Sequence, residues 1–201
     1  MLPIAADGFM AVPPGKVATI VTSLEMTAPP QPALAVPPPA GARLTRLERP
    51  GLNWYRRLFR RVGEEWLWFS RLRLSDDALA AIIHDAAVFV HVLHVDGVEA
   101  GILELDFRSA DECEIAFFGV TPAFIGRGVG GYLMREAIAR AWAAPISRLW
   151  VHTCTLDHPA ALQFYRHMGF RAYAQQVEIA DDPRVLGELP LTMGKHVPMI
   201  V

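Results

Sequence analysis

The sequence has little cysteine, no surplus of either charge and no long apolar run. Two of its 201 residues are cysteines, so one chain could form a single disulfide at most, and a reduced cytoplasmic protein is the simpler interpretation. Lysine and arginine total 19 against 21 acidic residues, a net charge of -2. Since a phosphate backbone is bound through excess positive charge, we do not expect nucleic acid as a partner.

The sequence also lacks a segment typical of a membrane span or a secretory signal. Mean hydropathy is +0.24, but the most apolar stretch, residues 78–95, is interrupted by His84, Asp85 and two further histidines. The N-terminal segment reaches Asp7 before any apolar run develops, and it has no basic start. We therefore expect no membrane partner.

Proline is concentrated near the N-terminus. Nine of the 16 prolines lie in the first 39 residues, six of them in residues 29–39. Proline fixes φ and lacks an amide donor, so this stretch is predicted to be an extended connector. Residues 16–26 alternate and are rich in β-branched side chains, which predicts a strand that pairs either with the main sheet or with a second copy of the chain as a homodimer.

The remaining chain alternates between strand and helix patterns. Strands are predicted at 42–47, 88–95, 98–107, 113–120, 149–153 and 171–179, and helices at 54–62, 77–85, 130–143 and 159–168. Antiparallel strands followed by β-α-β-α-β predict an α/β fold, a mixed sheet flanked by helices. We divide the chain into an N-terminal extension (1–41), a central domain (42–179) and a C-terminal tail (180–201).

A glycine-rich segment stands between a predicted strand and a predicted helix. Its residues are Ile125, Gly126, Arg127, Gly128, Val129, Gly130 and Gly131. Glycines at a helix start let backbone amides approach an anion, because no Cβ holds the ligand away. The alternative is a tight connection between strand and helix without a ligand.

The glycine spacing also satisfies G-x-G-x-x-G, the dinucleotide motif. Five residues separate Val120 from the first glycine, however, and no acidic side chain stands near residues 151–153 to hold a ribose. No Gly-Lys-Ser/Thr follows either, which excludes a nucleoside-triphosphate loop. A nucleotide-dependent oxidoreductase is therefore disfavoured.

Two motifs carry a resemblance to a known family. The stretch EIAFFGVTPAFIGRGVGGYLMREAI resembles the central motif of the GCN5-related N-acetyltransferase (GNAT) superfamily, Gln/Arg-x-x-Gly-x-Gly/Ala before a helix, with Gly128 and Gly130 on the glycine positions. Ile125 stands where Gln or Arg is usual, and Arg127 is the nearest replacement charge. Downstream, His158-x-x-Ala161-x-x-x-Tyr165-x-x-x-Gly169-Phe170 is similar to the family's later motif, which usually has Asn at the position of His158.

The resemblance covers residues 43–179 and implies an acetyl-CoA-dependent N-acetyltransferase, with acetyl-CoA as co-substrate and a small-molecule or peptide amine as acceptor. It implies that the strand ending at Val120 separates from the strand at 149–153, with Phe118 and Gly119 along the gap and the Val120 amide facing the thioester carbonyl. The departures at Ile125 and His158 keep an alternative open, a regulatory module that binds acyl-CoA with little turnover. The first 40 residues are expected to be dispensable for CoA binding.

The resemblance also implies catalytic candidates. Glu114 coincides with a family base position, and strict alternation would place it on one face with Phe118 and Val120; the alternative is an exposed carboxylate. Tyr165 coincides with a general acid toward the CoA thiolate, or it packs a helix on the sheet.

The other candidates are weaker. His158 either caps a helix or contacts the cofactor together with Ala161. His152 and Cys154 share a strand face without further ligands, so no metal site is predicted. The resemblance implies that the region of five aromatic residues covers the acceptor site, namely Trp54, Tyr55, Trp66, Trp68 and Phe69. Most of these rings are expected to be core or lid packing, and the alternative is that one or two line the acceptor pocket.

Overall fold

The computed structural model describes residues 7–30 and 37–201, which form one mixed sheet with helices on both faces. The strands are β1 (Lys16–Met26), β2 (Ala42–Leu47), β3 (Val88–Val95), β4 (Val98–Asp106), β5 (Glu112–Val120), β6 (Arg148–Cys154) and β7 (Arg171–Asp181). The helices are α1 (Leu52–Gly63), α2 (Asp76–Ile83), α3 (Val129–Ala141) and α4 (Ala161–His167), with short 3-10 helices at Glu64–Trp66 and Pro122–Phe124. All predicted elements exist, with ends within two residues of prediction.

The seven strands lie in the order β2-β3-β4-β5-β6-β1-β7. Only β5 and β6 pair in parallel, and every other described neighbour pair is antiparallel. The predicted mixed α/β fold is therefore confirmed. No helix among the described residues is both long and apolar enough to cross a bilayer.

Strand β1 lies inside the sheet. Leu24 is paired with Val151 of β6 on one side and with Ala172 of β7 on the other. Of the two arrangements left open by the sequence, the structure has the one within a single chain. The sheet crosses the boundary set at residue 41, and β7 continues past residue 179. The division into an extension, a domain and a tail stays a prediction, and most of the proline-rich connector (31–36) falls outside the described residues.

The core has two main parts, one on each face of the sheet. Helices α3 and α4 cover one face, where Leu133 and Phe170 pack with Leu103. Helices α1 and α2 cover the other face, where Phe59 and Leu79 pack against strands β3 and β4. The stripe that α1 buries has helical spacing, at Tyr55, Leu58, Phe59 and Val62. Strands β4 and β5, which adjoin the site, are thus packed on both faces.

Candidate active site

The strands β5 and β6 separate along most of their length. Their register contains three pairs and ends at Glu114 and Trp150. Beyond that pair a cavity of about 570 Å³ opens between the strands. The separation implied by the resemblance is thus present, and it exposes backbone groups of both strands.

The cavity wall comes from six parts of the chain: Val62 of α1, β5 with the glycine segment, β6 with the start of α4, residues 66–70, β1 and β7. Most of the predicted cofactor residues lie on it, namely Phe118, Gly119, Val120, Ile125, Gly126, Gly128, Gly130, Gly131, His158, Ala161 and Tyr165. Arg127 and Val129 do not line it. Val129 is buried in the core, and the Arg127 guanidinium lies over the Phe124 ring at 5.6 Å from its centroid.

The glycine segment forms an open cradle at the start of α3. Gly126 and Gly128 have φ of +77° and +74°, which side chains other than glycine adopt only with strain. A Cβ at Gly126, Gly128 or Gly130 would meet no protein atom within 4 Å, so free space adjoins these backbones. The free amides of the first helical turn and the helix dipole suit a phosphate there. The residues present therefore fit the pyrophosphate of CoA.

Arg135 is a cation near this cradle that the sequence reasoning missed. A Cβ at Gly131 would lie 3.4 Å from its Nη1 atom, and its buried Nε has no hydrogen-bond partner among the described residues. The available signal was the spacing of four residues from Gly131, which places both on one face of the helix.

The backbone of β5 presents amides to the gap. The Thr121 amide donates to the Ala100 carbonyl of β4 at 2.8 Å. Because successive amides of a strand point to opposite sides, the Val120 and Phe118 amides point away from β4 and toward the separated β6. The Val120 N–H is thus oriented as the resemblance requires.

Tyr165 lies on the cavity wall, at the face of β5 that α3 and α4 cover. Its ring contacts Phe118 and Phe170 at centroid distances of 6.2 and 6.1 Å. Burial, with a smaller contribution from Asp157, raises the pKa of the Tyr165 hydroxyl far above its usual range. The phenol therefore stays protonated at neutral pH, and its O–H can donate to a thiolate that forms beside it.

Glu114 lies elsewhere than its sequence position suggested. The β4–β5 register pairs Glu104 with Phe117 but Leu105 with Ile115, so Ala116 is an extra residue in a β-bulge. The bulge inverts the alternation, and Glu114 faces the side opposite to Phe118. The expectation of a shared face is therefore wrong. The Glu114 carboxylate lines a separate polar cavity of about 320 Å³.

His152 occupies the cavity wall beside Glu114. Its Nδ1 atom lies 3.3 Å from the Glu114 carboxylate, and 47% of its side chain is exposed. The hydrogen bond that the imidazole donates to the Glu114 carboxylate raises the pKa of His152 above its usual value, outweighing desolvation. The sequence reasoning weighed His152 only as a metal ligand. Among residues 7–30 and 37–201 no group of three or more potential ligands could hold a metal ion.

Of the five aromatic residues expected over the acceptor site, those at 66, 68 and 69 line the cavity. The Trp68 indole donates to Asp157 at 2.9 Å. A Cβ on Gly63 would overlap the Trp68 ring, and a Cβ on Gly119 would overlap Val62 and press on Trp68. Trp68 is thus fixed by two glycines and a carboxylate. Trp54 and Tyr55 are not on the wall, since Trp54 donates to Glu99 and Tyr55 is buried against Glu104.

His158 lies two residues before the N-cap of α4, Ala160, and on the cavity wall. Its Nδ1 accepts from the Ala160 amide at 3.1 Å, and its ring contacts Trp66 at 5.1 Å. Both sequence interpretations of His158 are thus compatible with its position. The charged side chains on the described wall are the carboxylates of Asp157 and Glu178, with no lysine or arginine.

The C-terminal tail supports the aromatic cover. Leu67, at φ +56°, packs so closely on Gly194 that a Cβ there would lie 2.6 Å away. The His196 ring lies 5.6 Å from that of Trp66. Buried Arg184 holds the tail by an ion pair with Asp182 and by bonds to three tail carbonyls. The tail therefore packs against residues 66 and 67 of the cavity wall.

Comparisons with known proteins agree with this geometry. A curated relative, N-alpha-acetyltransferase RimI of Mycobacterium tuberculosis, is 40% identical over 72 residues, 36% of this chain and less than half (43%) of that protein. A putative GNAT acetyltransferase from Novosphingobium aromaticivorans superposes with a TM-score of 0.56 at 19% identity, covering 84% of this chain and 67% of that one. An aminoglycoside acetyltransferase from a soil metagenome gives a TM-score of 0.53 at 17% identity, covering 64% and 88%.

The family model of the GNAT acetyltransferases matches residues 51–170. This match contains α1, the separated strands, the glycine cradle and α4, which build most of the cavity wall; β1 and β7 lie outside it. It includes more than half of the chain, and the chain therefore belongs to the acetyltransferase (GNAT) family.

Proposed function

We propose that the protein transfers an acetyl group from acetyl-CoA to a primary amine by direct attack. The observation that carries this proposal is the gap between β5 and β6, whose wall includes the glycine cradle at the start of α3. One end suits a pyrophosphate, and the gap between the strands suits a narrow, extended chain with amide groups. The family typically uses acetyl-CoA, which has both parts.

The backbone of β5 would align the thioester. The Val120 amide points into the gap and would donate to the carbonyl oxygen, which becomes negative as the amine attacks. The C–N bond forms, the C–S bond breaks, and the sulfur leaves with the electron pair. The protonated Tyr165 hydroxyl would give its proton to that thiolate. The surrounding rings would exclude water from this step.

The acceptor side favours an amine attached to an apolar body. Trp66 and Phe69 supply apolar surface, and Glu178 supplies negative charge. A cationic amine is attracted by this carboxylate and by the faces of the rings. The names of the relatives include an N-alpha-acetyltransferase and an aminoglycoside acetyltransferase. For this chain we propose a monocationic primary amine, because Glu178 is the wall carboxylate that has no hydrogen bond or ion pair with another described residue, and one carboxylate matches one ammonium.

Calorimetric titration with CoA and with NAD tests the cofactor. We expect micromolar binding of CoA and none of NAD, because the cradle lacks an acid for the ribose. Binding of NAD without CoA would refute the proposal.

Glycine variants test the cradle itself. Gly128→Val introduces strain at φ +74°, and Gly187→Val introduces the same strain at φ +72° in the tail, where a Cβ also meets nothing. Gly130→Val adds a side chain in α3 without that strain. We expect all three to fold, and only the variants at 128 and 130 to lose CoA binding. Equal affinity in the three variants would mean that the segment is only a connector.

Turnover with a panel of primary amines, followed by release of free thiol, tests the reaction. We expect turnover with arylalkyl and alkyl monoamines, and less with polyamines. CoA binding without turnover of any amine would favour the regulatory module instead.

A further inference from the structure

We propose that His152 is the group that takes the proton from the attacking amine, and that Glu114 acts through His152 as a positioning residue. This inference rests on the proposed acetyl transfer. It assigns the base to a side chain that touches the cavity, instead of the glutamate that coincides with the family position.

The position of His152 follows from the strand register. Pairing of β5 with β6 ends at Glu114 and Trp150, and His152 is the next residue of β6 on that face. It therefore stands at the narrow end of the gap, on the cavity wall. An extended chain that enters from the glycine cradle places its far end here, so the acetyl group and the amine would meet beside the imidazole.

Glu114 cannot make this contact itself. The bulge at Ala116 directs its carboxylate to the neighbouring polar cavity, which Asp106 and Arg108 also line. The imidazole of His152 lies between that carboxylate and the larger cavity, with Nδ1 at 3.3 Å from Glu114. Glu114 thus reaches the reaction only through His152.

The contact selects the useful tautomer of the imidazole. A carboxylate accepts the Nδ1–H, which leaves the Nε2 lone pair free to accept a proton. When Nε2 takes the proton, Glu114 stabilises the imidazolium that forms. The same carboxylate orients the ring, as a second group orients a histidine base in other active sites.

The groups that face His152 are acidic or neutral. Glu114 comes from β5, Asp157 from the loop after β6 and Glu178 from β7, and Ser23 of β1 is its paired residue. All three carboxylates raise the pKa of His152, with Glu114 first. Since a base acts in its neutral form, the rate is expected to increase as pH rises through this raised pKa.

The proton inventory balances. The neutral amine forms the C–N bond, and Nε2 of His152 takes the proton that the nitrogen then carries in excess. The C–S bond breaks, the thiolate leaves with its electron pair, and Tyr165 protonates it. His152 returns its proton to solvent, to which it is half exposed, and Tyr165 regains one. The products are the amide and free CoA.

The test compares His152→Gln and Glu114→Gln with the control His167→Gln, an exposed histidine of α4 outside the cavity. We expect His152→Gln to lower kcat about 100-fold, the usual scale of general base assistance. The rise of kcat/KM with pH should disappear in this variant, and its CoA affinity should be unchanged. Glu114→Gln is expected to lower kcat less, and its rise of kcat/KM with pH should occur at lower pH. The control should resemble the wild type.

Each outcome decides the inference separately from the proposed function. If the wild type turns over an amine and His152→Gln matches it, the base assignment is wrong and the function stands. If kcat/KM of Glu114→Gln rises over the same pH range as that of the wild type, Glu114 has no positioning role. If the wild type binds CoA but acetylates no amine, the proposed function fails first. An NMR titration of the His152 ring adds a readout without turnover: its pKa should fall in Glu114→Gln.

Discussion

The two ends of the cavity are built in different ways. The cofactor end comes from one continuous stretch, from β5 through the glycine segment into α3, held by local hydrogen bonds. The end proposed for the acceptor combines residues 66–70, His152, Asp157 and β7, and the C-terminal tail packs against residues 66 and 67. These segments meet only in the folded sheet. A motif can therefore identify the cofactor end, whereas the acceptor end depends on contacts between segments far apart in sequence.

The comparison also explains why the sequence identifies the family but not the acceptor. The glycine positions require a conformation and a free approach that few other residues allow. The acceptor wall requires only apolar bulk and a carboxylate, which many sequences supply. Four predictions separate the two ends.

The largest effect is expected from removal of β1. Deletion of residues 1–39 would leave β6 and β7 without the strand that joins them, and would expose Leu24's buried partners. We expect no cooperative thermal unfolding and no CoA binding, contrary to the expectation of dispensability stated from the sequence. Deletion of residues 1–12, of which the described ones are exposed, is the control and should melt as the full chain does. A stable 40–201 fragment that binds CoA would restore the original expectation.

The second effect concerns the buried anchor of the acceptor cover. Glu104 is fully buried and pairs with Arg71 at 2.5 Å and with the Tyr55 hydroxyl. Glu104→Gln leaves a buried guanidinium uncompensated, which should lower the free energy of unfolding by about 3 kcal/mol. Urea unfolding measures it, with Glu136→Gln in the exposed i,i+4 pair with Arg140 as the control, expected to cost under about 0.5 kcal/mol. Equal costs would mean that the buried pair anchors nothing.

The third effect lies between the ends. Tyr165→Phe keeps the ring and its packing but removes the hydroxyl. We expect kcat to fall on the order of 100-fold with CoA affinity unchanged, because the proton is needed only as the thiolate leaves. Steady-state kinetics and calorimetry together measure this split. An unchanged kcat would leave Tyr165 as a packing residue.

The smallest effect tests the departure from the family motif at the cofactor end. Ile125 is 40% exposed and lies on the cavity wall. Ile125→Arg should add a charged contact to the pyrophosphate worth about 1 kcal/mol, or roughly fivefold in CoA affinity. Val98→Arg, an exposed residue of β4 away from the cavity, should leave affinity unchanged. A weaker affinity in Ile125→Arg would mean that the residue closes the cradle by apolar contact.

The sequence by itself determined the order of strands and helices, the glycine cradle and the family, because periodicity, capping and backbone freedom act over a few residues. Only the tertiary structure decided which side chains share the site. The bulge at Ala116 inverts the faces of β5, so Glu114 leaves the side of Phe118. The β5–β6 pairing ends at Trp150, which leaves His152 on the cavity wall. Strand β1 lies between β6 and β7 because its backbone groups and apolar side chains pair there with segments that are distant in sequence. Register and long-range pairing carry no local signal, and they are what built the acceptor end.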